Sequence, residues 1–406
     1  MVPNGWSHTV LGNIADFKNG LNFTKADTGE EIKIVGVGDF KDFSELRSTD
    51  HLETVFVNNK VKKEELLQSG DLLFVRSNGN KELIGRCLFF PKITERLSFS
   101  GFTIRGRVNP SKALPEYVAS IARSSIMKQQ ISRNGGGTNI SNLSQQILSD
   151  IAIQLPSLPE QKKIAQILST WDKAITTTEQ LLANSQQQKK ALMQQLLTGK
   201  KRFPGFNDRW KKLTLSQFLI PTSYPIDKPN FAYKAVGIRS HGKGTFQRLV
   251  KDPDTVAMDT LYSLKPNEFI VNITFAWEGA VAIVQEMDDG CLVSHRFPTF
   301  KICEEKILVN FMRQLIITPS FFHLLKLISP GGAGRNRVLD KKELLDVELN
   351  VPSIEEQKLI ANILRSADQL IERIETQLTL LKQEKKALMQ QLLTGKRRVK
   401  LTEQHL

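Results

Sequence analysis

The stretch KKALMQQLLTGK occurs twice in this chain, at Lys189–Lys200 and again at Lys385–Lys396. Reading backwards from it, LPSLPEQKKIAQILSTWD (Leu155–Asp172) lies in the same register as VPSIEEQKLIANILRSAD (Val351–Asp368), at a constant offset of 196 residues. In a chain of 406 residues this is one unit written twice, and the repeat governs every later inference.

Each repeated segment reads as a long helix. Ser157–Glu160 and Ser353–Glu356 fit the S-x-x-E capping box, and Pro159 falls in the first turn, where its missing N–H is harmless. Both copies close in T-G-K, with Gly199 and Gly395 placed for a left-handed cap. About 40 residues lie between these signals, or roughly 60 Å of helix. Apolar residues in the second copy alternate four and three apart: Ile360, Leu364, Ala367, Ile371, Ile374, Leu378, Leu381, Leu388 and Leu392. That is a heptad seam with Lys385 as its polar intruder. The first copy keeps the register through Ile164, Leu168, Trp171, Ile175, Leu182, Leu192 and Leu196, with Thr178, Ser185 and Lys189 at its weaker middle positions.

Two seams in one chain most simply pack on each other; the rival reading docks each helix separately on its own domain. About ten residues (Lys200–Trp210) join the first helix to the second globular part, so the expected helices are antiparallel, with globular parts at the two ends of a rod. The expected divisions are 1–155, a helix over 156–200, 201–351, a helix over 352–396, and a loose basic tail over 397–406.

The two globular parts align loosely. Trp6 and Trp210 each open a segment, IVGVGDF (Ile34–Phe40) resembles AVGIRSH (Ala235–His241), and Gly70–Phe90 matches Asn267–Val284 as strand, polar tip, glycine and strand. Gly135–Pro156 matches Gly331–Pro352, a Gly-rich loop before a short helix and strand. The fold class is therefore α+β: two mixed α/β domains joined by two long antiparallel helices forming a coiled coil, in a pseudo-two-fold internal repeat. The helices match closely while the tips differ, Arg76–Lys81 in one copy facing Thr274–Glu278 in the other. Such a pair of domains should bind two different things of one class.

Composition narrows the partner. Net charge is +14, which favours a polyanion, although solubility alone is the competing account. Residues 1–155 and 203–350 each carry 19 basic and 16 acidic side chains, so the remaining +8 sits in the repeated segments. No run of 18 apolar residues exists and Met1–Val10 has no signal-peptide pattern, which predicts a cytoplasmic protein without membrane contact. Cys87, Cys291 and Cys303 have neither disulfide-framework nor metal spacing and read as buried reduced thiols.

A pseudo-two-fold molecule suits a pseudo-two-fold target, and duplex DNA fits both shape and charge. Arg can pair bidentately with guanine and Asn with adenine. Candidate contacts are Arg76, Asn78, Asn80, Lys81, Arg133 and Asn139 in the first domain, and Arg239, His241, Lys243, Trp277, Arg335 and Arg337 in the second. Each of these is also compatible with a solvated surface position, and Trp277 with a core one. The Gly-rich loops Gly135–Asn139 and Gly331–Asn336 could offer backbone N–H groups to phosphates. Arg86 and Arg105 lie within apolar strands and read as structural.

Catalytic patterns are missing. The chain has no phosphate-binding G-x-x-x-x-G-K-S/T loop and no Asn/Asp-Pro-Pro-aromatic motif; Asp252-Pro253-Asp254 is the nearest string. Glu304-Glu305-Lys306 lacks the upstream Asp of a nuclease site, and the six histidines have no metal or triad spacing.

Three stretches resemble the specificity (S) subunit of type I restriction–modification systems: Leu155–Ile164, the junction KKALMQQLLTGKKRFPGF at Lys189–Phe206, and GDLLFVRS at Gly70–Ser77. The resemblance covers essentially the whole chain. It implies a non-catalytic subunit with two target-recognition domains, each reading one half of a bipartite site in double-stranded DNA while the helix pair sets the spacer. It further implies two methyltransferase (M) subunits docked on it and motor-nuclease (R) subunits that join them, with S-adenosylmethionine, ATP and Mg on those partners and no cofactor here. A self-sufficient restriction or methyl-transfer enzyme is one rival, and a coiled-coil scaffold that binds only protein is the other.

Overall fold

The structure is a computed structural model, and it describes residues 3–40, 44–134, 142–331 and 337–401. The chain divides into two compact units, Met1–Glu179 with Thr376–Leu406, and Gln180–Glu375. The division falls inside the two long helices, Leu158–Leu196 and Ile354–Leu392, of 39 residues each. Each unit therefore holds one globular domain, the first half of that domain's own helix, and the second half of the other helix.

In the first unit, the strand Leu72–Val75 is buried on both faces, as its unbroken apolar run requires. It lies inside a four-stranded antiparallel sheet in the order Ala15–Asn19, Thr103–Val108, Leu72–Val75, Cys87–Phe89. Beside it stands a three-stranded sheet, where Glu30–Val35 pairs antiparallel with Glu53–Val57 and parallel with Leu97–Phe99. The N-terminal strand Ser7–Val10 pairs with Ala152–Leu155, which brings the start of the domain to the start of its long helix. Arg105, 2% exposed, donates to the Glu64 carbonyl and to Asp16, so it is structural as its apolar strand suggested. Arg86 instead is exposed.

The second unit repeats the four-stranded sheet with Leu219–Thr222, Thr299–Ile302, Phe269–Val271 and Val281–Ile283. It repeats the terminal pairing through Lys211–Thr214 and Glu348–Val351. Its other sheet differs: Thr245–Val250, Tyr233–Ile238 and Leu292–Val293 match the three strands of the first unit, and Thr260–Ser263 and Pro225–Asp227 extend it to five.

Within each unit the helix halves run antiparallel. In the first, Asp172 pairs with Lys385 and Glu179 with Lys382, the residue numbers rising on one helix as they fall on the other. In the second, Lys189 reaches Asp368 at 2.5 Å. Lys385 and Lys189, the polar residues at seam positions, are each only 16% exposed and are held by equivalent aspartates. This removes the reading in which the helices dock separately. Burial follows the expected seam, with Ile164, Leu168, Leu196, Ile360, Leu364, Ile374 and Leu392 buried and Trp171, Ile175, Leu182, Leu192, Ile371, Leu378 and Leu388 half-buried. Thr178 and Ser185 are buried as well, and the Thr178 hydroxyl donates to the Ala174 carbonyl of its own helix.

Domain and helix share a core. Ile164 and Leu168 from one helix and Leu392 and Leu393 from the other join Leu72 and Tyr117 in the first unit's main cluster. Ile360, Leu364, Leu196 and Leu197 do the same with Phe269 and Phe311 in the second. Both helices end at a glycine in the left-handed region, Gly199 at φ +69° and Gly395 at φ +66°. The amides of Lys201 and Arg397, two residues beyond each glycine, donate to the carbonyls of Gln195 and Gln391 and fold the chain back over the last helical turn.

The helix starts depart from the expected capping box. Ser353 Oγ accepts the Glu356 amide at 3.4 Å, but the glutamate side chains are taken up elsewhere. Glu160 accepts from the Trp6 indole N–H at 3.0 Å and from Arg398 at 2.7 and 2.9 Å. Glu356 accepts from the Trp210 indole at 3.1 Å and from Arg202, with Nη2 at 2.8 Å. Each guanidinium also sits 5.7 Å from the centre of its tryptophan ring. A carboxylate 4% or 1% exposed cannot rely on water and takes the strongest donors in reach. The tail is consequently not loose at its start: Arg398 is clasped and Val399 packs on the core, while residues 402–406 lie outside those described.

Cys87 and Cys291 are buried, and burial pushes the Cys87 thiol up to about 12; Cys303 is half-buried. Removing Arg202 leaves Glu356 buried with the indole as its remaining side-chain donor, so Arg202→Ala should destabilise the chain by about 3 kcal/mol. The paired change Arg202→Leu with Glu356→Leu should cost less than that single one. Urea unfolding of the three full-length chains measures both, and a single variant as stable as the parent would contradict the clasp.

Candidate nucleic-acid interface

In the first domain the tip grows out of the buried strand Leu72–Val75 and returns through Gly85. Gly85 has φ +77°, and a Cβ there would stand 2.9 Å from Ile131, so the turn admits glycine alone. Gly279 holds the equivalent place in the second domain, with φ +76° and Phe322 at 2.9 Å.

Arg76 is fixed by its backbone. Its N–H donates to the Phe102 carbonyl at 2.8 Å and its own carbonyl accepts the Leu143 amide at 2.7 Å. The side chain is half-buried, with Nη1 3.4 Å from the Gly101 carbonyl. Asn78 Oδ1 accepts the Asn80 amide, and Asn80 Oδ1 accepts the Glu82 amide to cap the short turn Lys81–Leu83. These asparagines thus shape the tip as well as line it, as Asx turns do. Lys81 is exposed on that turn. Lys128 bonds Glu82 at 3.1 Å and ties the helix Ser125–Asn134 to the tip, and this helix carries exposed Arg133 near its end. Asn139 and the loop from Gly135 lie outside the described residues. A cleft of about 720 Å³ runs beside the tip, lined by Ser77, Asn78 and Phe102 and by Ile34, Asp39 and His51.

The second domain gathers its candidates more tightly. His241, exposed and in the left-handed region at φ +61°, donates its backbone N–H to the Glu278 carbonyl at 2.8 Å. Ser240 Oγ donates to the Glu278 carboxylate at 2.8 Å, so the Arg239–Gly244 turn lies against the Thr274–Glu278 tip. Trp277 is half-buried, donates to the Thr274 carbonyl at 3.2 Å, and carries Arg337 over its ring at 5.5 Å. Arg239 donates to the Thr245 carbonyl and stands over Phe246 at 5.0 Å. Lys243 is exposed, and Arg335 with the loop from residue 332 lies outside the described residues. The corresponding cleft, about 540 Å³, is lined by Phe246, Asn272 and Phe275 among others.

Arg239 and Arg337 are thus cations already stacked on rings within the domain, and Arg239 is hydrogen-bonded there as well. Sequence reading passed over two exposed residues on the neighbouring loop, Phe102 and Arg296. Their short segments, FSGFT and SHRFP, share too few residues to mark the equivalence in the sequence.

Among the described residues no group of three or more His, Cys, Asp and Glu could hold a metal ion, and no helix is long and apolar enough to cross a membrane. Glu304 accepts the Val309 amide at 3.4 Å within its own turn, and Lys306 donates to the carbonyl of Gln217, 89 residues away in the chain, at 3.0 Å.

The model of the type I restriction modification DNA specificity domain matches residues 3–184 and 250–383. A relative from Methanocaldococcus jannaschii, assigned as the MjaX specificity subunit of a type I restriction enzyme, is 27% identical over 98% of this chain and 95% of its own length. The fold is shared with the type I restriction-modification S subunit from M. genitalium, at 13% identity and a TM-score of 0.57 over 99% of each chain. It is shared also with a chain from a study of complex assembly and conformational transition in the type I R-M system, at 15% identity and a TM-score of 0.61, covering 98% of this chain and all of that one. Two recognition-type domains, a duplicated helix and a family match over most of the length lead to one conclusion: this chain belongs to the type I restriction–modification DNA specificity family.

Proposed function

We propose that this specificity subunit reads a bipartite sequence in duplex DNA, one half-site per domain, and that the long helices fix the gap between the halves. The observation that carries this reading is one scaffold with two different tips. Each domain has the same four-stranded sheet, the same glycine turn and the same helix clasp, yet one tip offers Asn78 and Lys81 and the other Trp277 with Arg337. Polar and cationic side chains on a turn between two strands suit the major groove, where the donor and acceptor pattern distinguishes all four base pairs. The helices suit a spacer because each is continuous over 39 residues and its register is held by paired charges on the seam. DNA readers of other folds set half-site separation by geometry in the same way.

Methylation and cleavage then belong to partners. Two methyltransferase subunits dock on the chain and bring S-adenosylmethionine; motor-nuclease subunits bring ATP and Mg. Support for helical docking comes from Leu359, Ile363 and Leu370, which lie off the seam and remain 38–50% exposed on the second long helix.

Replacing residues 1–150 by the corresponding part of a relative with another specificity should change one half of the methylated motif and leave the other half and the gap unaltered. A change in both halves would contradict independent reading. Four residues inserted near Gln186 should alter the preferred gap while both half-sites persist, and an unaltered gap would contradict the spacer role. Both are read by sequencing the methylome of a host that carries the cognate methyltransferase subunit.

A further inference from the structure

The two domains present one residue each from the same backbone station beside the tip, and these residues differ in chemistry. In the first domain the Val75 amide donates to the Arg86 carbonyl, the Arg76 amide to the Phe102 carbonyl, and the Leu143 amide to the Arg76 carbonyl, at 3.0, 2.8 and 2.7 Å. In the second, Asn272 donates to Ala280, Ile273 to Arg296, and Leu339 to Ile273, at 3.0, 3.0 and 2.9 Å. Three matched hydrogen bonds make Phe102 and Arg296 structural equivalents, although their numbers differ by 194 rather than by the helix offset of 196.

Both side chains face solvent. Phe102 is 63% exposed, an unusual state for a phenylalanine next to polar Ser77 and Asn78, with which it lines the cleft. Arg296 is exposed, and among the described residues its guanidinium has no hydrogen bond, ion pair or ring contact. Arg239 and Arg337 are stacked on rings, so of these three arginines Arg296 alone is uncommitted within the described residues.

Given the DNA-reading function proposed above, on which this step rests, we propose that Phe102 and Arg296 are equivalent specificity-determining residues of the two domains. Phe102 packs on the 5-methyl group of a thymine in the first half-site. Arg296 donates two hydrogen bonds to O6 and N7 of a guanine in the second. The guanidinium fork matches that acceptor pair, and an aromatic edge is a good neighbour for the thymine methyl.

The test is the methylome of a host carrying the cognate methyltransferase subunit with the full-length chain or its Arg296→Ala, Arg296→Lys or Phe102→Ala variant. Domain exchange assigns each half-site to its domain. Arg296→Ala should lower the preference for one guanine in the second domain's half-site about 5- to 150-fold, admitting other bases there alone. Arg296→Lys should keep part of that preference, because an ammonium still donates to guanine. Phe102→Ala should relax one thymine in the other half by about 3- to 5-fold, the worth of a buried methyl group. Methylation lost evenly at every site would mean a phosphate contact and overturn the assignment. So would an unchanged motif, or a half-site lacking the stated base. A parent chain that directs no bipartite motif would instead overturn the DNA-reading function itself.

Discussion

A carboxylate buried at the first turn of each long helix holds the molecule's plan together. Glu160 joins three distant pieces of chain: Trp6 from the start of the domain, the helix that bears it, and Arg398 from beyond the other helix. Glu356 does the same with Trp210 and Arg202. A charge this deeply buried is stable only while its partners stay in place, so the contact ties the domain to both helix segments of its unit. The shared cores and the aspartate–lysine pairs along the seam add to the same constraint. Because the contacts are equivalent, each domain meets its helix segments in one standard way, whatever the chemistry of its tip.

On that shared base, the two units differ in architecture at one sheet and in chemistry at the tip. The second domain widens one sheet from three strands to five and replaces an asparagine-rich tip with a tryptophan that seats an arginine. Neither change disturbs the glycine turn or the four-stranded sheet. The function proposed above calls for this separation, since a new target must leave the helix geometry unaltered. The exposed apolar residues of the second long helix belong to the fixed part, and the tips to the variable part.

Much of this was legible in the residues. The duplicated KKALMQQLLTGK and the 4–3 spacing gave the helices and their pairing because period and repeat are local properties. Lys385 read as an intruder, and only the fold supplies the Asp172 that makes it a partner. The S-x-x-E pattern reads as a capping box because that is its local chemistry. Its tryptophan and arginine lie up to 238 residues away, and no spacing announces them. Strand, polar turn, glycine and strand are local patterns that the sequence shows, but the roles of residues within the tips turn on backbone bonds. Asn78 and Asn80 spend their oxygens on turns, Arg239 and Arg337 are stacked, and Phe102 matches Arg296 only once the strand amides are traced.

The most direct measurement is methylome sequencing of a host that carries this chain with its cognate methyltransferase subunit, beside the same host with the chain deleted. The account predicts a single bipartite motif with a fixed gap, methylated only when the chain is present. Methylation that does not depend on the chain, or depends on it without any sequence motif, would contradict it and leave a scaffold that binds protein alone.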